Sequence, residues 1–451
     1  MSWIDERASS LEAGEFGFEV LPETDQSFEN ALAKARNGER LTVDDGIELM
    51  TTGTDTAGLD PRRKELVLEA ADRRRADVVG DEVTFVANVN NNVTTACNVG
   101  CLFCNFKDTA HQFEEDYQEE HAGFTKTPAE SHDIVKDAVE RGVYEVTSVS
   151  GLHPGMTLDE EHREVLAAAD DPELNFKSPD RYETPPATYR EQIRAMADTG
   201  AHVHSMTPEE VYHAQRGADW GYEYVYRKLA DVGLKTVPGT AAEILVDEVR
   251  DVICPGKITT EQWVESMRAA AEVGLPMTAT IMYGHVENEA HRVEHLKVIR
   301  DLQDETGNIT EFVPLSFVHQ NTPLHEHGVV ESGASKAEDE LMVAVARLFL
   351  DNVEHIQSSW VKYGDEHGMK LLNCGADDFM GTILSEEITK RAGGEYGEFR
   401  SFRDYAEMIT AIGRTPVERS TDYTERRRVD PDADVIGPEL GPEADGTPLL
   451  D

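Results

Sequence analysis

The chain has 451 residues, with 88 acidic against 42 basic side chains and a formal net charge of −46. So large a negative charge repels nucleic acid and anionic membranes, and because the acids are spread along the chain it points to a halophilic setting, where molar salt shortens the Debye length to about 3 Å. No apolar run of about 18 residues is present to span a bilayer, and Met1-Ser2-Trp3-Ile4-Asp5-Glu6 lacks the basic and apolar parts of a secretion signal, so a cytoplasmic protein without membrane contact is expected.

Residues 1–80 read as a helical extension. Leu41 to Met50 has a cap and apolar spacing suited to a short helix, and Pro61 to Val79 predicts a longer one. From Thr84 onward short β-branched runs alternate with helical patterns, which argues for βα units around a parallel sheet. Eight strands are expected, starting near Val83, Glu145, Ala201, Leu234, Pro276, Thr310, His355 and Leu371, the first of them running from Thr84 to Thr95. Thr127-Pro128-Ala129-Glu130, Thr207-Pro208-Glu209-Glu210 and Thr259-Thr260-Glu261-Gln262 each form a capping box at a helix start. Eight such units predict an α/β fold, a TIM-type (β/α)8 barrel, complete or partial, over residues 81–422. A solvated acidic insertion with one short helix is expected at about 156–188, and residues 423–451 read as an acidic, disordered tail.

Three of the five cysteines lie in Cys97-Asn98-Val99-Gly100-Cys101-Leu102-Phe103-Cys104, directly after the first strand. Thiolates suit soft metals and iron–sulfur clusters. A cubane has four irons, so three local cysteines leave one iron open for chemistry. The competing reading is a structural zinc knuckle, but zinc sites close with four ligands, usually in two pairs, and Cys254 and Cys374 stand alone.

Working groups of a βα barrel sit where strands end. Strand two ends Ser148-Val149-Ser150-Gly151-Leu152-His153-Pro154, small enough for close approach to a ligand or simply a tight turn. Strand four ends in Pro238-Gly239-Thr240-Ala241-Ala242-Glu243, where the acid either serves ribose hydroxyls or stabilises a helix start. Tyr283 and His285 share one side of an extended segment and are candidates for proton transfer; a buried, hydrogen-bonded histidine is the alternative. His202 and His204 also share a face, without a third ligand nearby. Phe317 and His319 could face a planar substrate, and Asn88, Asn90, Asn373 and Asp377 complete the polar candidates.

The stretch from about Asn88 to Asp422 resembles a known family. The cysteine motif with Phe103, Gly-Leu-His-Pro at 151–154, Pro-Gly-Thr-Ala-Ala-Glu at 238–243, Ile-Cys-Pro-Gly-Lys at 253–257 and Met-Tyr-Gly-His-Val-Glu at 282–287 occur in order. Together they resemble CofH, the tyrosine-using radical S-adenosylmethionine (SAM) subunit family of 7,8-didemethyl-8-hydroxy-5-deazariboflavin (FO) synthase. The family usually has glycine where Ser150 stands, and its insertion after Gly155 is shorter. The resemblance implies one [4Fe-4S] cluster on Cys97, Cys101 and Cys104, with SAM on the open iron. It places Phe103, Ser150, Gly151 and Glu243 around SAM, with Tyr283 and His285 on the substrate side. The implied reaction cleaves SAM to a 5′-deoxyadenosyl radical and breaks the Cα–Cβ bond of L-tyrosine. The 4-hydroxybenzyl group then joins 5-amino-6-(D-ribitylamino)uracil, and 2-iminoacetate is released. The expected protein partner is the CofG-type second FO synthase subunit. The rivals are a radical SAM enzyme of the futalosine route to menaquinone, a non-catalytic iron–sulfur carrier, and a zinc-stabilised binding module.

Overall fold

A computed structural model describes residues 25–51, 61–107, 123–169, 187–383, 387–394, 396, 399–433 and 437. Among the described residues three helices precede the barrel: α1 Asp25–Asn37, α2 Val43–Thr51 and α3 Pro61–Val79. Phe28, Leu32, Leu49, Met50 and Val67 are buried in the same core as the barrel helices, so the extension is part of the main body. Arg40 fastens it from outside through ion pairs to Asp304 and Asp351.

Then follow β1 Glu82–Val86, β2 Asn88–Asn90, α4 Pro128–Glu140, β3 Glu145–Ser148, α5 Glu160–Ala168, α6 Tyr189–Ala197, β4 His202–Ser205, α7 Pro208–Gln215, α8 Gly221–Ala230 and β5 Leu234–Thr236. The second half holds α9 Asp247–Ile253, α10 Thr260–Val273, β6 Met277–Tyr283, α11 Glu289–Thr306, β7 Ile309–Ser316, α12 Pro323–Glu326, α13 Lys336–Phe349, β8 His355–Ile356, α14 Trp360–Leu371 and β9 Asp378–Gly381. After it come α15 Glu387–Arg391, α16 Phe402–Ala411, β10 Thr415–Arg419 and β11 Arg426–Arg428. All three expected capping boxes form, at Thr127, Thr207 and Thr259.

Every neighbouring pair around the ring is parallel. β2, β3, β4 and β5 pair in that order, as do β6, β7 and β8, and β9 pairs with β1. Single bridges, Val237 to Met277 and Gln357 to Asp378, close the two remaining gaps. With β1 and β2 counted as one strand bent at Ala87, the result is a closed eight-stranded barrel.

Two expected strands differ from the structure. The run Thr84 to Thr95 is not one strand, because β1 pairs with β9 and β10 while β2 turns to β3. The last barrel strand starts at Asp378, not near Leu371. Leu371 and Leu372 are fully buried at the end of α14, so their apolar run serves helix packing.

The boundary expected at 422 also falls differently. β10 lies parallel to β1 and antiparallel to β11, forming a hairpin at the end of the barrel where strands begin. There Arg419, 2% exposed, reaches Asp378 at 2.6 Å and Glu311 at 3.2 Å. The Tyr423 hydroxyl donates to Glu311 at 2.6 Å, and Thr421 donates to Glu145 at 2.6 Å. Charge and aromatic area make 419–423 part of the barrel floor. The expected disorder beyond 437 and the stretch 170–186 of the acidic insertion lie outside the described residues; α5 supplies a helix in the insertion's described part.

Candidate active site at the barrel mouth

At the opposite end, the loops after the strands enclose a cavity of about 240 Å³. Cys97, Cys101 and Cys104 line it together with Phe103, Ser150, Gly151, Thr240 and Glu243. Seven of the nine residues singled out from motifs thus meet in one place, and Thr240 joins them. Tyr283 and His285 do not line it. The rest of the wall is largely apolar, with Val99, Phe106, Val149, Leu152, Met282, Leu315, Phe317 and Val318.

Backbone bonds fix the cysteine loop on three sides. The Leu102 amide donates to the Ile253 carbonyl at 2.8 Å, the Leu324 amide donates to the Leu102 carbonyl at 3.0 Å, and Lys107 Nζ donates to the Cys101 carbonyl at 2.9 Å. The amide of Gly151 donates to the Thr94 carbonyl at 2.8 Å. Ser150 Oγ accepts the Val93 amide at 2.7 Å, so the residue that departs from the family's glycine ties two strand ends together.

The turn after β5 is held in an unusual shape. Ala241 and Glu243 are both left-handed, at φ 79° and 44°. Such conformations cost about 1–3 kcal/mol each and persist where surroundings over-determine them. Arg250, 3% exposed, supplies that restraint by donating to the carbonyls of Ala241, Ala242, Ile244 and Ile258. Beside this turn the Thr240 hydroxyl is buried without a protein partner at the cavity wall.

Lys257 is the residue sequence reasoning missed. It lay inside the Ile-Cys-Pro-Gly-Lys run but was given no role. Its ammonium forms an ion pair with Glu243 and sits 5.5 Å from the Phe103 ring centre. Burial pushes the Cys101 thiol well above its usual range, and Lys257 is the nearby charge that opposes this. Cys104 is raised by burial and opposed by the Lys107 and Phe106 amides. Cys254, buried and outside the cavity, is pushed up to about 12 by desolvation. Glu209 also lines the cavity, and burial raises its carboxyl.

Tyr283 is fully buried, and its hydroxyl donates to Asp339 at 2.7 Å and meets the Tyr363 hydroxyl at 3.0 Å. The His285 side chain is also fully enclosed, with Nδ1 2.9 Å from Glu287 Oε2 and 2.8 Å from the Val286 amide nitrogen, and Nε2 facing the Met282 carbonyl at 3.1 Å. His202 and His204 both bond the Thr236 hydroxyl, at 3.0 and 2.8 Å, so that pair is a hydrogen-bonded strut. Among the other polar candidates, Asn88 accepts the Ile383 amide at 2.8 Å, Asn373 accepts from Arg414 at 3.0 Å, and Asp377 is buried against His355 at 2.6 Å. Phe317 lines the cavity, and His319 lines a neighbouring one.

Fold and mouth together define a radical SAM barrel, and the Radical SAM superfamily model matches residues 91–299. A second model, the CofH/MqnC C-terminal region, matches 306–431. The chain is 73% identical over 438 residues to 5-amino-6-(D-ribitylamino)uracil--L-tyrosine 4-hydroxyphenyl transferase of Haloarcula marismortui, covering 97% of both chains. The same-named protein of Halobacterium salinarum is 73% identical over 439 residues, again with 97% of both covered. The chain belongs to this CofH-type family, as its motifs implied. An FO synthase of Mycobacterium leprae is 36% identical over 404 residues, which are 88% of this chain and 42% of that one. In fold, the chain is similar to the FeFe-hydrogenase maturase HydG of Carboxydothermus hydrogenoformans, with TM-score 0.61, 14% identity and 94% of this chain and 87% of that chain covered.

Proposed function

We propose that this protein joins the 4-hydroxybenzyl group of L-tyrosine to 5-amino-6-(D-ribitylamino)uracil, releasing 2-iminoacetate, in deazaflavin (FO) biosynthesis. The observation that carries this is the cavity: three thiols, an orphaned Thr240 hydroxyl and a strained Thr240–Glu243 turn face one enclosed space in a chain 73% identical to transferases of that name.

The residues present fit one [4Fe-4S] cluster with SAM. Cys97, Cys101 and Cys104 would hold the cluster. Among the described residues no three His, Cys, Asp or Glu groups gather around a single ion position. A cubane tolerates that spread, since each thiolate takes a different iron. Phe103, Ser150, Gly151 and Glu243 would surround SAM, with Thr240 offering its unused hydroxyl. When bound, the pair supplies one-electron reductive cleavage and hence hydrogen abstraction from tyrosine.

The protein's own contribution is enclosure and placement. Apolar walls keep water from a reactive carbon centre, and the fixed loops hold reactants in near-contact geometry. Lys257 offsets negative charge gathered at the thiolates. Tyr283 and His285, enclosed by their partners, act by positioning neighbouring groups. The partner reading extends to a CofG-type subunit. It is supported by the longer Mycobacterium leprae FO synthase, of which this chain spans 42%. No described helix is long and apolar enough to cross a membrane.

The test is anaerobic turnover with reconstituted protein, SAM, tyrosine and the ribityl pyrimidine, read by product mass. A coupled 4-hydroxybenzyl adduct is expected. Deoxyadenosine formed only with an enolpyruvyl benzoate would move the protein to the futalosine route. No SAM cleavage after reduction would make it a carrier.

A further inference from the structure

A second cavity, of about 370 Å³, adjoins the first. Ser316, Phe317, Val318 and Lys362 line both, so the two cavities share one edge. Its size falls in the class of small-molecule sites, about 300–1,000 Å³. Its chemistry differs from that of the thiol cavity. Hydroxyl, imidazole, amide and ammonium groups dominate, among them Ser332, His319, Gln320, Lys336 and Tyr363.

Its inner wall carries an oriented histidine. His367, 5% exposed, faces Asp339 with Nε2 at 3.1 Å from Oδ2. The other oxygen of Asp339 accepts the Tyr283 hydroxyl at 2.7 Å, and Tyr363 is itself fixed by donation to the Pro314 carbonyl at 2.9 Å. A carboxylate engaged on both oxygens holds the imidazole in one orientation. In the neutral ring, giving Nε2–H to Asp339 leaves Nδ1 as the nitrogen with a lone pair. His367 lies on α14 and Asp339 on α13, so two helices must be packed as they are for the pair to form.

We infer that this second chamber binds the ribityl pyrimidine, and that His367 Nδ1 accepts a hydrogen bond from one of its N–H or O–H groups. The inference rests on the function proposed above and deepens it. A substrate that gives hydrogen at the thiol cavity must lie in that cavity, and the aromatic ring of tyrosine suits apolar walls. A polyhydroxylated chain does not, because each buried hydroxyl left without a partner costs about 1–3 kcal/mol. The polar chamber offers partners along its length, and the shared edge brings the acceptor ring beside the place where the benzyl fragment is released. Tyr283 and Asp339 are then positioning residues, which explains a buried tyrosine at the end of β6 that never reaches the first cavity.

The experiment is anaerobic calorimetry on the reconstituted full chain with SAM, titrating 5-amino-6-(D-ribitylamino)uracil and L-tyrosine separately. His367→Leu is expected to weaken the pyrimidine about tenfold, the scale of one hydrogen bond, with tyrosine affinity kept. His367→Gln, which still offers an acceptor, should restore part of the loss. Tyr283→Phe should act in the same direction, more weakly. If His367→Leu fails to fold, the exposed rim variant Ser332→Leu replaces it, with the same selective loss expected. Unchanged pyrimidine affinity in a folded His367 variant overturns the assignment, as does equal loss of both ligands. Wild-type protein that binds neither ligand would instead sink the proposed function, so the two failures are distinguishable.

Discussion

The missing side chain of Gly151 faces the Ala96 carbonyl so closely that a Cβ there would lie 2.4 Å from its oxygen. Ala96 immediately precedes Cys97, so the turn after β3 sets the height of the first thiol. The Gly151 amide bond to Thr94 holds the same contact from the other side. Close approach, more than backbone freedom, is why glycine is needed here.

Gly151→Ala must therefore push the cysteine loop outward. The atom it meets is backbone and cannot swing away, and overpacking of this kind costs about 1–3 kcal/mol. The expected result is folded protein with reduced iron and sulfide per chain after anaerobic reconstitution. Gly256→Ala, whose Cβ would lie 2.6 Å from the Val99 carbonyl oxygen, should do the same from the neighbouring loop. Full cluster loading in both variants would show that the loop's position is not set by these contacts.

Lys257 and Glu243 test the charge balance of the mouth. Their side chains are 11% and 13% exposed, so removing one leaves a mostly buried charge unpaired. Lys257→Met should destabilise the protein by about 3 kcal/mol, the low end for a broken buried pair. The double variant with Glu243→Gln should recover part of that loss, because the stranded carboxylate is gone. Urea denaturation of the four proteins gives the coupling directly.

Much of this site was readable because short motifs carry local geometry. Cys97, Cys101 and Cys104 sit on one loop, and the turns at Gly151 and Glu243 follow strands that a βα alternation places at the same end of a barrel. Tyr283 and His285 were read from strand alternation and from the motif run at 282–287. Alternation says that they share a side, but not that α11, α13 and α14 cover it. Lys257 and His367 were missed for a related reason. One belongs to a loop whose partner lies 14 residues away, and the other pairs with Asp339 across 28 residues, on different helices. The floor was misread because 423–428 is polar. Polarity signals solvent unless charges meet their opposites, and the acids that receive Arg419 are distant in the chain.

A pH experiment isolates one buried histidine. His295 is fully buried, and its Nδ1 accepts the Leu245 amide at 2.9 Å. Burial, aided by nearby Arg250, lowers its pKa from 6.5 to about 3. The unfolded chain therefore binds a proton below pH 6.5 that the folded one refuses until about pH 3. Stability present above 6.5 is lost as pH falls through that window, at about 1.4 kcal/mol per pH unit. His295→Gln, which cannot titrate, should show a correspondingly shallower loss between pH 6 and pH 4.5 in denaturant midpoints at constant salt. Parallel curves for the two proteins would mean that the histidine does not remain neutral inside.

Arg419 ties the C-terminal hairpin into the barrel floor, and its removal should be the most damaging of these changes. The guanidinium lies between Glu311 and Asp378 and 4.3 Å from the Tyr423 ring centre. Arg419→Met leaves two buried carboxylates without their cation, a change worth about 3–5 kcal/mol. Its pH dependence follows from Glu311, which burial raises from 4.5 to about 7 even with Arg419 nearby. For an acid raised on folding, stability is fullest below the unfolded value and declines as pH rises through the folded one. Without Arg419 the folded value climbs further, so the decline continues to higher pH. The penalty of Arg419→Met should accordingly be larger at pH 8.5 than at pH 6, measured as the difference in unfolding free energy from wild type. A pH-independent penalty would assign the cost to lost packing on Tyr423 instead of to the stranded carboxylates.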